Sequence, residues 1–496
     1  MSQHNAPQVA DRNIVALKYK PRQKLVLSPH EPSAPFGSAD FPSVPEGHQL
    51  RSLKPAAEAR PTKRASLEIV DAIRAGADVG SQILLCKIVH IPSAGYDLKK
   101  HAPFPTSPKP RMARREESLV VAKVFDPRLY PPRDPIDLPN EPPFDDATVA
   151  YSELCREAAV YQFFYEKGKS GHPHMIAQYY GCWVTNRKVF NNASTLDEWV
   201  GLILIEYIEG RSIENICPVD PITGYLEPPL NTEVILHLDT ESEQQGKSLK
   251  LDRQVCLDVM KSLLSQGVDL IHLGVSMRYM LPHDVFLTIR NNGHDLETPR
   301  VVLLDHTFSV VWEQSRPGKN GIPAPFSDLE LPPHPWEQCC VSAISEFLGW
   351  IPPQWDDREW LPAKTSSAAT SPAIGRASDV PGVTEETGIA KSFSDWLLDC
   401  FGPLDDSNPK YTVFPEEVSD SGEEDEGELG EEEKSEPDFD PPGQRWRPTG
   451  AWGISGPLPM RTTEAEPIAT YLGGLIIRDA AGSGWDSDNE QPPPTV

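Results

Sequence analysis

Apolar residues gather into a few strongly patterned runs between residues 67 and 308, separated by polar, proline-rich stretches. In SLEIVDAIRAG, Leu67, Val70 and Ile73 stand at helical spacing, which predicts a short helix. ILLCKIVHI (83–91) and SLVVAKVF (118–125) read as strands, apolar and rich in β-branched residues, and their order predicts an antiparallel pair. TVAYSELCREAAVYQFFYEKG sets Leu154, Ala158, Tyr161 and Tyr165 on one face and stops at Gly168, as a helix does. VGLILIEYIEG (200–210) predicts a buried strand running into a glycine turn. From Leu251 to Leu273, Val255, Val259, Leu263 and Leu270 recur at helical spacing, predicting a helix of roughly 30 Å. DVFLTI (284–289) and VVLLDHTF (301–308) then predict two strands around a Gly/Asn turn at 291–293.

That succession predicts an α+β protein of two unequal lobes, the smaller mainly sheet and the larger mainly helix. Composition limits how much more the chain packs. It holds 52 prolines in 496 residues, about twice ordinary usage, and only 39% apolar residues. One sizeable core with long unstructured flanks fits those numbers better than several domains. The expected organisation is a disordered segment over 1–65 and one folded region over 66–361, its small lobe 66–210 and its large lobe 211–361. A Ser/Ala/Thr-rich linker follows at 362–391. A short aromatic segment at 392–405 is expected to pack on the large lobe, and an acidic disordered tail covers 406–496.

Charge changes the picture in one place. Of the formal net charge of −27, about half sits between Glu416 and Asp440, where fourteen carboxylates face one lysine, Lys434. Such a block repels itself and stays solvated. The rest is mildly acidic, which argues against nucleic-acid binding, because nothing offsets phosphate repulsion. Eight cysteines include no C-x-x-C pair, so neither a zinc site nor a disulfide framework is expected. No run approaches the length of a membrane-spanning helix, and the N-terminus lacks the apolar stretch of a signal peptide. The expectation is an intracellular protein, in cytoplasm or nucleus, with no membrane partner.

Four features stand in the order a phosphoryl-transfer site requires. Lys123 lies inside an apolar strand, where an ammonium needs an anionic partner. Glu157, on the helix that follows, offers one. In IEYIEG, the backbone of Glu206 and Ile208 ends a strand at a turn able to meet an adenine edge. Asp305 follows VVLL at a strand end, where a carboxylate can hold Mg²⁺ through oxygen.

This ordered set resembles the eukaryotic protein-kinase pattern, and more closely the kinase-like proteins abundant in filamentous fungi. The resemblance rests on VVAKVFDP with Tyr130, EAAVYQFF, YYGCW, LILIEYIEG, IHLGVSMRYMLPHDVFL, VVLLDHTFSVV and HPWEQCCVSAISEFLGWIPPQW. It implies a two-lobed protein-kinase-like fold, with a small β-rich lobe and a mainly helical, shortened large lobe. It also implies ATP and Mg²⁺ as cofactors. By position it makes Lys123 the phosphate-binding lysine, Glu157 its helix partner and Ile205 the gatekeeper, with Glu206 to Ile208 the hinge. Asp305 becomes the metal-binding aspartate, followed by His306 and Thr307 in place of Phe and Gly, and Asp284 replaces the metal-binding asparagine. Pro282 with Val285, Phe286 and Leu287 sets the catalytic-loop register, which puts Tyr279 where the catalytic aspartate belongs. A phenol of pKa about 10 is protonated at neutral pH and cannot serve as that base.

Three functional readings follow. The first is a pseudokinase that retains ATP and works through protein partners of unknown identity. The second is a weakly active ATP-dependent serine/threonine-type phosphotransferase, since kinase catalysis is mostly positioning and electrostatics. The third is an unrelated α+β interaction protein.

Overall fold

The computed structural model describes residues 19–38, 40–42, 53, 61–93, 97–105, 119–131, 145–188, 197–237, 247–277, 280–291, 294–339, 341–355 and 392–413. The linker expected at 362–391, the charge block at 416–440 and Tyr279 lie outside these residues.

Six strands close into an antiparallel barrel: β1 (Lys24–Pro29), β2 (Ala65–Arg74), β3 (Gln82–His90), β4 (Leu119–Phe125), β5 (Tyr179–Lys188) and β6 (Asp197–Glu206). Their order around it is β1-β2-β3-β4-β6-β5. The strand that closes the barrel comes from the segment expected to be unstructured: Leu27 of β1 stands opposite Ala65 of β2 on one side and Thr185 of β5 on the other. Alternation along each strand divides two cores. Leu67, Ile69, Leu84, Val120, Ala122, Val124, Leu202 and Leu204 fill the barrel. The intervening Val121, Phe125, Ile203 and Ile205 face outward into a larger core.

The helix expected near Leu67 is instead strand β2. Leu67 and Ile69 are buried while Val70 is 42% exposed, a period of two rather than three. Both rhythms are present in ASLEIVDAIR. Pairing with β1 on one side and β3 on the other chooses between them.

Helix α1 (Asp146–Glu166) crosses the outer face of β4 and β6, its first turn capped by Asp145 accepting from the Thr148 amide. It lies close because Gly201 of β6 leaves room: a Cβ there would overlap Cδ2 of Leu154. From the other side the N-terminal strand continues over the same helix. Arg156 donates to the Gly37 carbonyl at 3.1 Å, and beyond it Arg316 donates to the carbonyls of Asp40 and Phe41.

The second half of the chain corrects the two-lobed kinase-like expectation. Beyond residue 211 one long helix forms, α3 (Arg253–His272), and the only other α-helices among the described residues have four to nine residues: α2 (Ile213–Ile216), α4 (Arg316–Lys319), α5 (Pro335–Gln338) and α6 (Phe393–Phe401). Strands take their place: β7 (Gly210–Ser212) joins β11 (Val285–Asn291) and β12 (His294–Leu303), β8 (Thr232–His237) pairs with β9 (Lys247–Leu251), and β10 (Val275–Ser276) with β13 (Val310–Val311). A closed barrel with strand-rich, helix-poor surroundings is therefore the architecture, not a sheet lobe on a helical lobe. Prolines at 317, 323, 325, 332, 333, 335, 352 and 353 lack amide donors; Pro317 and Pro335 open the first turns of α4 and α5, and the others stand where a helix interior would not tolerate them.

Two contacts bind the pieces. Arg300 of β12 grips the buried Glu206 carboxylate at 2.9 and 3.2 Å and also donates to the carbonyls of His174 and Ile176. The aromatic segment 392–405 forms α6, whose Phe393 and Trp396 rings lie 5.8 and 5.6 Å from Trp355. No helix of the described residues is long and apolar enough to cross a membrane.

Gly201→Ala should destabilise the protein by about 1–3 kcal/mol, through the overlap with Leu154. In urea unfolding, Leu154→Ala should cost less when combined with Gly201→Ala than alone; strict additivity would mean that this contact does not set the approach of α1.

Candidate functional site

Lys123 reaches the α1 side of the barrel by strand alternation: Val120, Ala122 and Val124 point inward, so Val121, Lys123 and Phe125 point out. There the ammonium is 4% exposed and meets Glu157 of α1, itself 1% exposed, at 2.7 and 2.9 Å from its two carboxylate oxygens. The chain leaving β12 brings a second anion. Asp305 Oδ1 lies 3.2 Å from Lys123 Nζ, and the Thr307 hydroxyl 3.4 Å from it. Asp305 holds a left-handed backbone, φ 69°, and Thr307 secures it by donating to Oδ1 from its amide at 3.0 Å and its hydroxyl at 2.6 Å.

Burial and charge oppose each other throughout this cluster. Burial works against the Lys123 charge, but Asp305 and Glu157 together keep its pKa above the ordinary value. Burial also disfavours the Asp305 anion; Lys123 and the two Thr307 hydrogen bonds outweigh it and hold the carboxyl well below the usual range. Glu157 is pushed up to about 7 by burial, with Asp305 adding to the rise and Lys123 opposing it. Asp284 is pushed up to about 8 by burial and then by the negative charge of Asp305. Asp284 is thus displaced toward neutrality while Asp305 is held ionised.

Further side chains complete the site. His283 Nε2 lies 3.5 Å from Asp284 Oδ2, and burial lowers the imidazole pKa. Arg74 closes β2, donates to the Ser81 carbonyl and hydroxyl at 3.2 Å, and adds positive charge near Lys123, Asp284 and Asp305. His306, fully buried, stacks edge-on against Tyr161 and Phe164 with ring centroids 4.9 and 5.6 Å away. Burial pushes its pKa down to about 4, so it serves as a neutral core aromatic in this place.

Sequence reasoning placed Lys123, Glu157 and Asp305 in one site, and they meet; Asp284 is coupled to them electrostatically. Ile205 is buried and pairs across the sheet with Val121 and Tyr179. The Glu206 carboxylate is directed at Arg300, and its amide donates to Gln178 O at 2.9 Å. Ile208 is buried, with its carbonyl accepting from the Gly210 amide. Arg74 and Thr307 were missed. Arg74 was hidden by reading its strand as a helix, and Thr307 carried no signal beyond its place two residues after Asp305.

No protein-family model matches the chain, and no curated protein matches it. Among the described residues no group of three or more His, Cys, Asp or Glu side chains is placed to hold a metal ion.

These shifts make a signed prediction. Asp284 moves from 3.8 to about 8 and Glu157 from 4.5 to about 7, so between these values the folded state holds more protons than the unfolded chain. Stability must fall as pH rises through that window. Asp305 has the opposite sign: its contribution is complete above its unfolded value of 3.8 and is lost only below it. Asp284→Asn should therefore match wild type near pH 5 and melt about 5 °C higher near pH 8.5. A melting-temperature difference that stays flat across that range would contradict the raised Asp284 carboxyl.

Proposed function

We propose that this protein binds a magnesium-complexed nucleoside triphosphate at the Lys123–Glu157–Asp305 cluster and acts through protein–protein contacts, in the manner of a pseudokinase. The observation that carries this reading is the meeting of Lys123, Glu157 and Asp305 within 3.2 Å of one ammonium, from three separate segments of the chain. Lys123 supplies a fixed positive charge for phosphate oxygens, oriented by Glu157. Asp305 and Asp284 supply oxygen ligands for Mg²⁺, and a divalent cation would relieve the repulsion between them. Bound Mg²⁺ would neutralise phosphate charge. This reading rests on the cluster and the motif order, and it does not require a two-lobed architecture.

Phosphoryl transfer lacks its base. Tyr279 stands where the catalytic loop pattern has aspartate, and a neutral phenol does not accept the substrate proton. The intact Lys123–Glu157 pair favours a second reading, residual phosphotransferase activity, because positioning survives when the base is lost.

The nucleotide arm is tested on the full chain, since β1 at 24–29 closes the barrel and a shorter piece would open it. Mg-ATP at a hundred times its Kd should stabilise the fold by about 2.7 kcal/mol, read as a rise in Tm. Lys123→Met should abolish the rise; wild type that does not respond to Mg-ATP would sink the nucleotide reading.

The catalytic arm is separate. Tyr279→Asp combined with Asp284→Asn should raise phosphate transfer to a generic protein substrate by about 10²–10⁴-fold over wild type, and Asp305→Ala should remove the gain. Brisk turnover by wild type, unchanged in Tyr279→Phe, would replace the pseudokinase reading with the phosphotransferase one.

A further inference from the structure

We infer that Thr307 is a latch that fastens Asp305 onto Lys123, so that phosphate groups gain access to the lysine only after a divalent cation has drawn Asp305 away. The inference rests on the nucleotide reading above and specifies its order of events.

Lys123 has three N–H donors, and the structure gives each a direction: Glu157 at 2.9 Å, Asp305 at 3.2 Å and the Thr307 hydroxyl at 3.4 Å. None is left for a phosphate oxygen. Glu157 is fully buried against the barrel, whereas the Asp305 side chain is 29% exposed, so Asp305 is the partner that yields. Thr307 makes yielding costly. Its amide and hydroxyl both donate to Asp305 Oδ1, the same oxygen that faces Lys123, at 3.0 and 2.6 Å. The hydroxyl proton is committed to that short bond, so toward Lys123 the Thr307 oxygen acts as an acceptor. Glu157 Oε2, 3.4 Å from the hydroxyl, closes the ring of contacts.

The cluster is thus self-satisfied without ligand. A cation held by Asp305 and Asp284 would weaken the attraction of Asp305 for Lys123, and one N–H would then be free for phosphate. Metal and nucleotide then bind with positive coupling, which by linkage works equally in both directions. Part of any such coupling arises because Mg²⁺ neutralises the nucleotide itself. The latch is the further part that depends on the Thr307 hydroxyl. Thr307→Val removes the hydroxyl while keeping the branched shape, and Thr307→Ser keeps the hydroxyl.

The experiment is titration calorimetry with a non-hydrolysable ATP analogue on the full chain, once with Mg²⁺ and once with chelator, for wild type and both variants. Thr307→Val should bind the metal-free nucleotide about tenfold more tightly than wild type, narrowing the gap between the two conditions by that factor. Thr307→Ser should restore the wild-type gap. Equal gaps in wild type and a Thr307→Val protein that still melts cooperatively would overturn the latch and leave the nucleotide reading standing. A Thr307→Ser variant that behaves as Thr307→Val would also overturn it. Failure of every protein to bind in either condition would overturn both.

Discussion

Everything near the site answers to one constraint: a lysine ammonium is buried on the outer face of a β-barrel, and its charge must be paired there. An unpaired buried ammonium costs several kcal/mol, and removing one partner of a buried pair typically costs about 3–5 kcal/mol. Glu157 meets that demand from α1 and Asp305 from the chain after β12, so three segments far apart in sequence are held to one point. Geometry and burial combine so that the lysine stays charged and Asp305 stays ionised. Glu157 and Asp284 bear the electrostatic cost, with carboxyls displaced toward neutrality.

Such a point charge fixes nothing unless its surroundings are rigid, and two devices provide that. The first is closure of the barrel by β1, after which the same segment passes over α1, bonds to Arg156 and reaches Arg316. Helix α1 is therefore clamped between Gly201 beneath and the N-terminal strand above. The second is Arg300, whose fork satisfies Glu206 and two carbonyls at once and sets β12 against the β5–β6 end of the barrel. β12 leads directly to Asp305, so this buried pair positions the second anion as surely as α1 positions the first. A residue expected to line an adenine contact serves in this way as a structural joint.

The same electrostatics shape what the site can do. Glu157 and Asp305 contact a single lysine and Asp284 is coupled to it, with Arg74 adding nearby positive charge, so carboxylates outnumber cations in the cluster.

Sequence by itself determined what depends on near neighbours. The strand around Lys123, the helix carrying Glu157, the strand ending at Glu206 and the long helix from Arg253 follow from local period, caps and a terminal glycine, and they formed at nearly the expected positions. The order of Lys123, Glu157 and Asp305 was legible because their chemistry is unusual for their settings: an ammonium in an apolar strand and a carboxylate at a strand end. Tertiary structure alone decided the rest. ASLEIVDAIR supports two periods, and only pairing with partners on both sides made it a strand. β1 has no local signal stronger than its proline-rich neighbours, and it became a strand because an open barrel offered two free edges. The mainly helical second half failed for a related reason, since β7 and β13 formed by pairing with β11 and β10 far along the chain, and among the described residues only α3 and α6 there exceed one α-helical turn. Arg74 acquired meaning only when folding brought it near Asp305, because a charge at close range depends on distance in space, which no spacing along the chain reports; the Thr307 bonds to Asp305 span two residues and are local, but their meeting with Lys123 was decided by the fold.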